Sequence, residues 1–487
     1  MEVLNKKITN AVDRPIKVLQ FGEGNFLRAF VDYMIDVANE EGVFNGNIAV
    51  VKPIAYGNLD SFRKQECQYT LSLRGKENGE TKVANRVITS VSDAVAAIED
   101  YEDYAAYAKL DTLRFVVSNT TEAGIVFDET DEFDAMPPKT FPGKLTKLLF
   151  ERYTHFDGDK EKGLVLIPCE LIENNGGNLK KCVLSFASLW NLSEDFINWI
   201  NEACIFCSTL VDRIVTGYPR DEAKAMCEEF GYEDSLLVTG ELFALWVIES
   251  DKDISNELPL HKAGLPVIFT DDQKPYRERK VRILNGAHTS FVLASYLAGN
   301  DYVLESMQDN DIKGFMTKTI FDEIIPTLSL PKDELVSFAN SVIERFENPY
   351  IKHELLSISL NSVSKWKSRC LPSFKGYVSE FGKLPVHLTF SLAALMSFYR
   401  SSEKGEMCLI GKRGENTYKI MDDANVLEFF AANASLPTEE FVNNYLSNVT
   451  FFGEDMTKYD GLVQMISSYI NDINVNGMRS AINNLEK

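Results

Sequence analysis

Residues 15–21, Pro-Ile-Lys-Val-Leu-Gln-Phe, are a short β-rich run that stops at Gly22-Glu23-Gly24, and residues 25–40 then carry apolar side chains at helical spacing. Strand, glycine turn and helix in that order open a dinucleotide-binding unit. Glycines let the backbone approach a pyrophosphate, and the helix N-terminus presents free N–H groups to it. Leu27 stands where the usual third glycine would be. On glycines alone a plain tight turn explains the segment as well; the flanking strand and helix favour the nucleotide reading. Further apolar runs at 48–51, 113–117 and 164–167 are separated by helix-like stretches such as 91–109. That alternation predicts a parallel sheet with helices on both faces.

Beyond about residue 275 the patterns lengthen to helical periods, clearest at 281–298, 332–345, 386–401 and 422–433. A chain of 487 residues exceeds what one core supports. The expected organisation is an α/β Rossmann-type domain over 1–272 and a mostly α-helical substrate and catalytic domain over 273–487.

The longest apolar stretches, such as 388–399, fall short of the roughly 18 to 20 residues a membrane span requires. Residues 1–13 include Glu2, Lys6, Lys7 and Asp13 and lack the apolar core of a secretory signal, so a cytoplasmic location is expected. Eight cysteines are sparse and irregular, which fits reduced thiols. Cys204 and Cys207 form a CxxC with no second pair to complete a zinc site, and they sit in an apolar, strand-like run; buried packing is the expectation. The net charge of −22 disfavours nucleic acid and anionic membranes as partners. It also repels small anions, so a site for an anionic substrate needs a local basic cluster.

The second strand ends Val50-Val51-Lys52-Pro53 without the acid that usually binds the adenosine ribose. Lys52 reads either as a contact for a 2′-phosphate or, in preference, as a solvated strand end. After 114–117 come Ser118-Asn119-Thr120-Thr121-Glu122-Ala123-Gly124, small and polar residues at the carboxyl edge where such sheets bind ligands. A plain βα loop with Thr120 or Thr121 as helix cap accounts for them nearly as well.

The most informative stretch is Tyr276-Arg277-Glu278-Arg279-Lys280-Val281-Arg282-Ile283-Leu284-Asn285-Gly286-Ala287-His288-Thr289. On a regular helix Lys280, Asn285 and His288 do not share one stripe; a kink near Gly286 or an end-on helix would bring them together. Together they suffice for carbonyl reduction without a metal. A lysine can hand a proton to a developing alkoxide, while an amide and an imidazole N–H donate to it. The alternative, a solvated basic face with a capping Asn and a core His, suits a lone His better than all three.

This Lys280-x4-Asn285-x2-His288 pattern is similar to the catalytic signature of the polyol-specific long-chain dehydrogenase (mannitol dehydrogenase) family. Gly22-x-Gly24-x-Phe26-x-Arg28 resembles that family's cofactor motif and Thr121-Glu122-x-Gly124 its loop near the nicotinamide. Pro168-Cys169-Glu170 with Asn175-Gly176, Val211-Asp212-Arg213-Ile214 and Arg345-Phe346-x-Asn348-Pro349-x-Ile351-x-His353 extend the likeness along most of the chain. The resemblance implies NAD as cofactor, held by Phe21, Gly22, Gly24, Asn25, Phe26, Arg28, Thr121 and Glu122. It implies Lys280 as general acid/base, Asn285 and His288 polarising the carbonyl, and no metal. Two departures stand out. Leu171 follows Glu170 where the family commonly has Asn, which leaves Asn175 as the candidate further amide. Arg277 stands where polyol enzymes often have Glu. With Arg282, Arg279 and Lys274, it makes a basic cluster that points to the branch acting on sugar acids, with Arg277 and Arg282 as candidate substrate contacts. A non-catalytic NAD-binding protein of the same fold is the alternative of a different class.

Overall fold

The computed structural model describes residues 1–485. Its contacts divide it into one unit of residues 1–75 and 81–273 and a second of residues 76–80 and 274 onward. In the first unit the apolar runs become strands β1 (Ile16–Phe21), β2 (Asn47–Lys52), β3 (Val91–Ala96), β4 (Phe115–Ser118), β5 (Val165–Pro168) and β6 (Ile205–Phe206). They form one sheet in the order β3-β2-β1-β4-β5-β6, and every pairing is parallel. The chain reverses its direction of winding between β1 and β4, so the carboxyl ends of those two strands flank the crevice where sheets of this kind bind ligands.

Alternation along the strands feeds two cores. Val18, Ile48, Val50, Phe115 and Val117 face one side, where helix α1 (Asn25–Glu40) lays down Leu27, Phe30, Val31 and Met34. Leu19, Phe21, Ala49, Val51 and Val116 face the other, against Leu145, Leu148 and Leu149 of α2 (Phe141–His155) and Leu179 and Val183 of α3 (Asn175–Leu189). The helix-like reading of 91–109 is corrected: residues 91–96 are an edge strand, and only Tyr101–Ala106 are α-helical. The ladder to β2 outweighed a weak local periodicity. Smaller sheets built from 69–88 and 208–270 complete the unit. Cys204 and Cys207 are buried thiols.

The second unit is mainly helical, with a small three-stranded sheet at 404–420. At its centre is α4 (Gly286–Leu297), in which every residue except His288 and Leu297 is buried. A predominantly apolar helix buried on nearly all sides belongs inside a core, and α4 packs against α6 (Ser362–Arg369) and α7 (Val386–Tyr399). Between them in the chain lies α5 (Lys332–Phe346). Among the described residues no helix is long and apolar enough to cross a membrane.

Candidate active site

At the crevice of the first unit, Gly22 has φ +122°, and a Cβ there would lie 3.2 Å from the carbonyl oxygen of Asn119. That conformation and that clearance both require glycine. Gly24 caps α1 without a side-chain hydrogen bond, and a Cβ built on it meets nothing within 4 Å. The first N–H groups of α1 are thus uncapped behind an open approach, which fits a pyrophosphate. Gly24 and Asn25 are exposed, whereas other residues assigned to the cofactor serve the turn from behind. Phe21 is a core ring 5.0 Å from Phe141, and half-buried Phe26 stacks on Phe30 at 5.0 Å. Arg28 is buried, lies 5.1 Å over the Tyr69 ring, donates to Asn25 Oδ1 at 2.6 Å and to the carbonyl of Leu236, and so braces the turn.

Thr121 and Glu122 are exposed at the carboxyl end of β4, in a connection that runs on to Thr140, the cap of α2; the helix-cap reading of Thr120 and Thr121 is therefore corrected. Thr121 has φ +75°, a strained value for a β-branched residue. Glu170 holds this loop: its buried carboxylate accepts from Thr120 N–H and Thr120 Oγ1, each at 2.9 Å, and from Ser118 Oγ at 3.1 Å. Burial raises the Glu170 pKa and these hydrogen bonds work against the rise. The sequence placed Glu170 in a family motif without giving it a role, because its partners come from another strand.

Asn175 does not serve as a further amide for substrate. It is buried, its Oδ1 accepts from Gly176 N–H (2.9 Å) and Thr209 N–H (2.8 Å), and its Nδ2 donates to the carbonyls of Pro168 (3.0 Å) and Glu170 (3.1 Å). Two acceptor sites and two donors are all an amide offers, so Asn175 stitches the ends of β5 and the 208–212 strand. Lys52 is likewise neither solvated nor free for a phosphate: it is 1% exposed, with Nζ 3.0 Å from Glu99 and 2.6 Å from the carbonyl of Ile54.

In the second unit the expected kink takes a definite form. Residues Lys280–Asn285 make a π-helical turn that runs without a break into α4, with Gly286 N–H reaching back to the carbonyl of Val281. At about 100° per residue, an α-helix would set Lys280 and Asn285 roughly 140° apart; closing the turn over five residues brings them toward one face. Such turns are rare and concentrate at functional sites. Gly286 permits close packing here, since a Cβ would lie 3.2 Å from the carbonyl oxygen of Arg369.

His288 is the one basic side chain on α4. Its ring lies 4.2 Å from Phe346 and 5.3 Å from His353, centroid to centroid, and Nε2 is shut off from solvent with no hydrogen-bond partner among the described residues. Burial, reinforced by His353, Arg345, Arg369 and Lys365, lowers its pKa well below 6.5. The ring is thus a neutral imidazole with one nitrogen left for a ligand. The basic residues acting on it come from α5 and α6, whereas Arg282 is buried away with Nε 2.9 Å from Ser373 Oγ and a second hydrogen bond to Thr327 Oγ1. Arg277 is half-buried on the turn that precedes Lys280.

Two family models cover the chain: the mannitol dehydrogenase Rossmann domain matches residues 16–262 and the mannitol dehydrogenase C-terminal domain matches 272–474. The chain belongs to the mannitol dehydrogenase family. As a member it is an oxidoreductase acting on CH–OH groups. Similar curated members are the altronate oxidoreductases of Yersinia enterocolitica, 46% identical, and of Escherichia coli O7:K1, 45% identical, each aligned over 99% of both chains. Two solved structures share this fold along the whole length. They are a D-sorbitol dehydrogenase (TM-score 0.80, 22% identity, 99% of this chain and 100% of the other) and mannitol 2-dehydrogenase of Pseudomonas fluorescens (TM-score 0.67, 22% identity, 100% and 99%), the latter in complex with NAD and D-mannitol. Leu171, directly after the buried Glu170, is exposed, 61% accessible.

Proposed function

We propose that this protein is a cytoplasmic NAD-dependent oxidoreductase that interconverts altronate and tagaturonate. The observation that carries the reading is the buried, unpartnered His288 Nε2 beside the Lys280–Asn285 turn, in a chain about as similar to altronate oxidoreductases as 45% over full length. Uncapped N–H groups at the start of α1 and the glycine clearance at Gly22 suit the pyrophosphate of NAD, whose nicotinamide supplies and accepts the hydride.

The protein's own part is proton transfer and charge stabilisation. Lys280, as the ammonium, gives its proton to the substrate oxygen as the carbonyl is reduced, and takes one from the alcohol in reverse. Asn285 Nδ2 and the Nε2–H tautomer of neutral His288 donate to that oxygen while negative charge builds on it. Because Nε2 is already desolvated, little reorganisation accompanies the reaction.

The test is NADH absorbance with tagaturonate, fructuronate and fructose in turn. Tagaturonate should give the highest kcat/KM. A higher value with fructuronate would move the protein to the neighbouring uronate reductases and one with fructose to the polyol enzymes, while no turnover with any would favour a non-catalytic NAD-binding role.

A further inference from the structure

Helix α6 carries three basic residues, and the fold divides them. Lys367 is turned toward the carbonyl of Thr450, 3.4 Å from its Nζ. Lys365 and Arg369 are four residues apart, hence on one face; both are half-buried and both act electrostatically on His288. Arg369 Nη1 lies 3.4 Å from Oγ1 of Thr289, the residue after His288, and Lys365 Nζ donates to the carbonyl of Ile358 at 2.9 Å. Among the described residues neither has a carboxylate within ion-pairing distance. The acid that acts on Lys365, Asp422, already accepts from Tyr399 Oη at 2.7 Å and from Val363 N–H at 3.3 Å.

Such a pair is unexpected in a chain with 72 acidic residues against 50 basic ones. Elsewhere in this unit Arg279 and Arg413 are matched to carboxylates, Glu334 and Asp301, while Arg282 and Arg400 are held by hydroxyls and backbone carbonyls. Like charges four apart on a helix repel, and burial strips their hydration. Both effects hold Lys365 below the ordinary lysine range, and burial alone does the same to Arg369. An anion seated between them relieves the repulsion and replaces the lost water.

We infer that Lys365 and Arg369 are the carboxylate clamp of the site, holding the acid end of the substrate while its carbonyl faces His288 Nε2. This rests on the proposal that the site acts on a sugar acid. The guanidinium offers a planar fork that matches a carboxylate, and the ammonium a movable point charge. A neutral polyol leaves both cations unmatched, so the same pair selects for acids. The clamp thereby moves from the turn carrying Arg277 and Arg282 to helix α6.

The test compares the full-length wild type with Arg369→Leu, Arg369→Lys and Lys365→Met on tagaturonate and on tagatose, which has CH2OH in place of the carboxylate. Binding of altronate and of altritol to the NADH-loaded enzyme is followed in parallel by NADH fluorescence. Arg369→Leu should lower kcat/KM for tagaturonate by about 10²-fold and collapse the preference for altronate over altritol, with tagatose little affected. Arg369→Lys should keep part of the preference, and Lys365→Met should lose part. Equal losses on charged and neutral compounds, or an unchanged acid-to-polyol preference, would overturn the clamp. Wild type that ignores tagaturonate yet reduces tagatose would overturn the functional proposal itself, before any variant is made.

Discussion

Lys280 is the residue on which turnover should depend most. General acid/base catalysis is worth roughly 10² to 10⁴-fold, so Lys280→Ala is expected to lose kcat by that order. The glycine turn belongs to the other unit, so NADH binding should stay near wild type. Stopped-flow turnover with a parallel NADH titration checks both, and near-normal kcat would remove Lys280 from the mechanism. His288 makes a different prediction. Burial and cationic neighbours push its pKa well below 6.5, so the folded ring is already neutral at physiological pH. The neutral form is the active one, and protonation at low pH should inactivate. No histidine limb is therefore expected in the kcat/KM–pH profile near 6.5; a limb there that vanishes in His288→Gln would contradict the assignment. Gln keeps an N–H donor and should retain more activity than Ala.

At the scale of elements, α1 is held to its sheet by a polar cluster as well as by apolar packing. Asp32 is fully buried, accepts from Tyr69 Oη at 2.8 Å, and has its pKa pushed up to about 7, first by burial, with Tyr69, Arg28 and Gln20 opposing the rise. Its Oδ1 and Gln20 Oε1 are two buried acceptors without partners among the described residues, an arrangement that a proton on Asp32 resolves. The sign follows from linkage. The folded state holds this proton more tightly than the unfolded chain, so its contribution is complete below about pH 4 and is lost as pH rises through about 7. At about 1.4 kcal/mol per unit, the span is at most about 4 kcal/mol. Asp32→Asn, whose amide can donate without a proton from solution, should flatten that dependence and gain relative stability at pH 8. Thermal midpoints from pH 5 to 8 decide it; parallel curves for variant and wild type would show that Asp32 is ionised throughout.

For the molecule as a whole, cofactor choice is the property that several elements set jointly. Lys52 ends β2, where a 2′-phosphate would be read, yet it is buried and committed to Glu99 and the carbonyl of Ile54. Freeing it would break its ion pair with the exposed Glu99 and leave a buried ammonium unmatched, so it offers nothing to NADP. NADH should exceed NADPH in kcat/KM by tenfold or more, about 1.4 kcal/mol of discrimination. Comparable values with the two cofactors would mean that another basic group reads the phosphate.

Strand, turn and helix at 16–40 were legible because local rules set them: β-branched residues before, glycine where φ is positive, helical spacing after. The long helices of the second unit were legible for the same reason, as were Lys280, Asn285 and His288, which lie within nine residues of one another. What the sequence could not decide is where side chains spend their hydrogen bonds and charges. Asn175 and Arg28 sit in motif positions, yet Asn175 spends its amide on Pro168, Glu170 and the distant Thr209 N–H, and Arg28 donates to the distant carbonyl of Leu236. Residues 91–96 became a strand because β2 offered a ladder, and the basic residues around His288 come from α5 and α6 rather than from the turn beside Lys280. Local preference is written in neighbouring residues, whereas desolvation and pairing depend on which distant segments arrive, and only the tertiary structure fixes that.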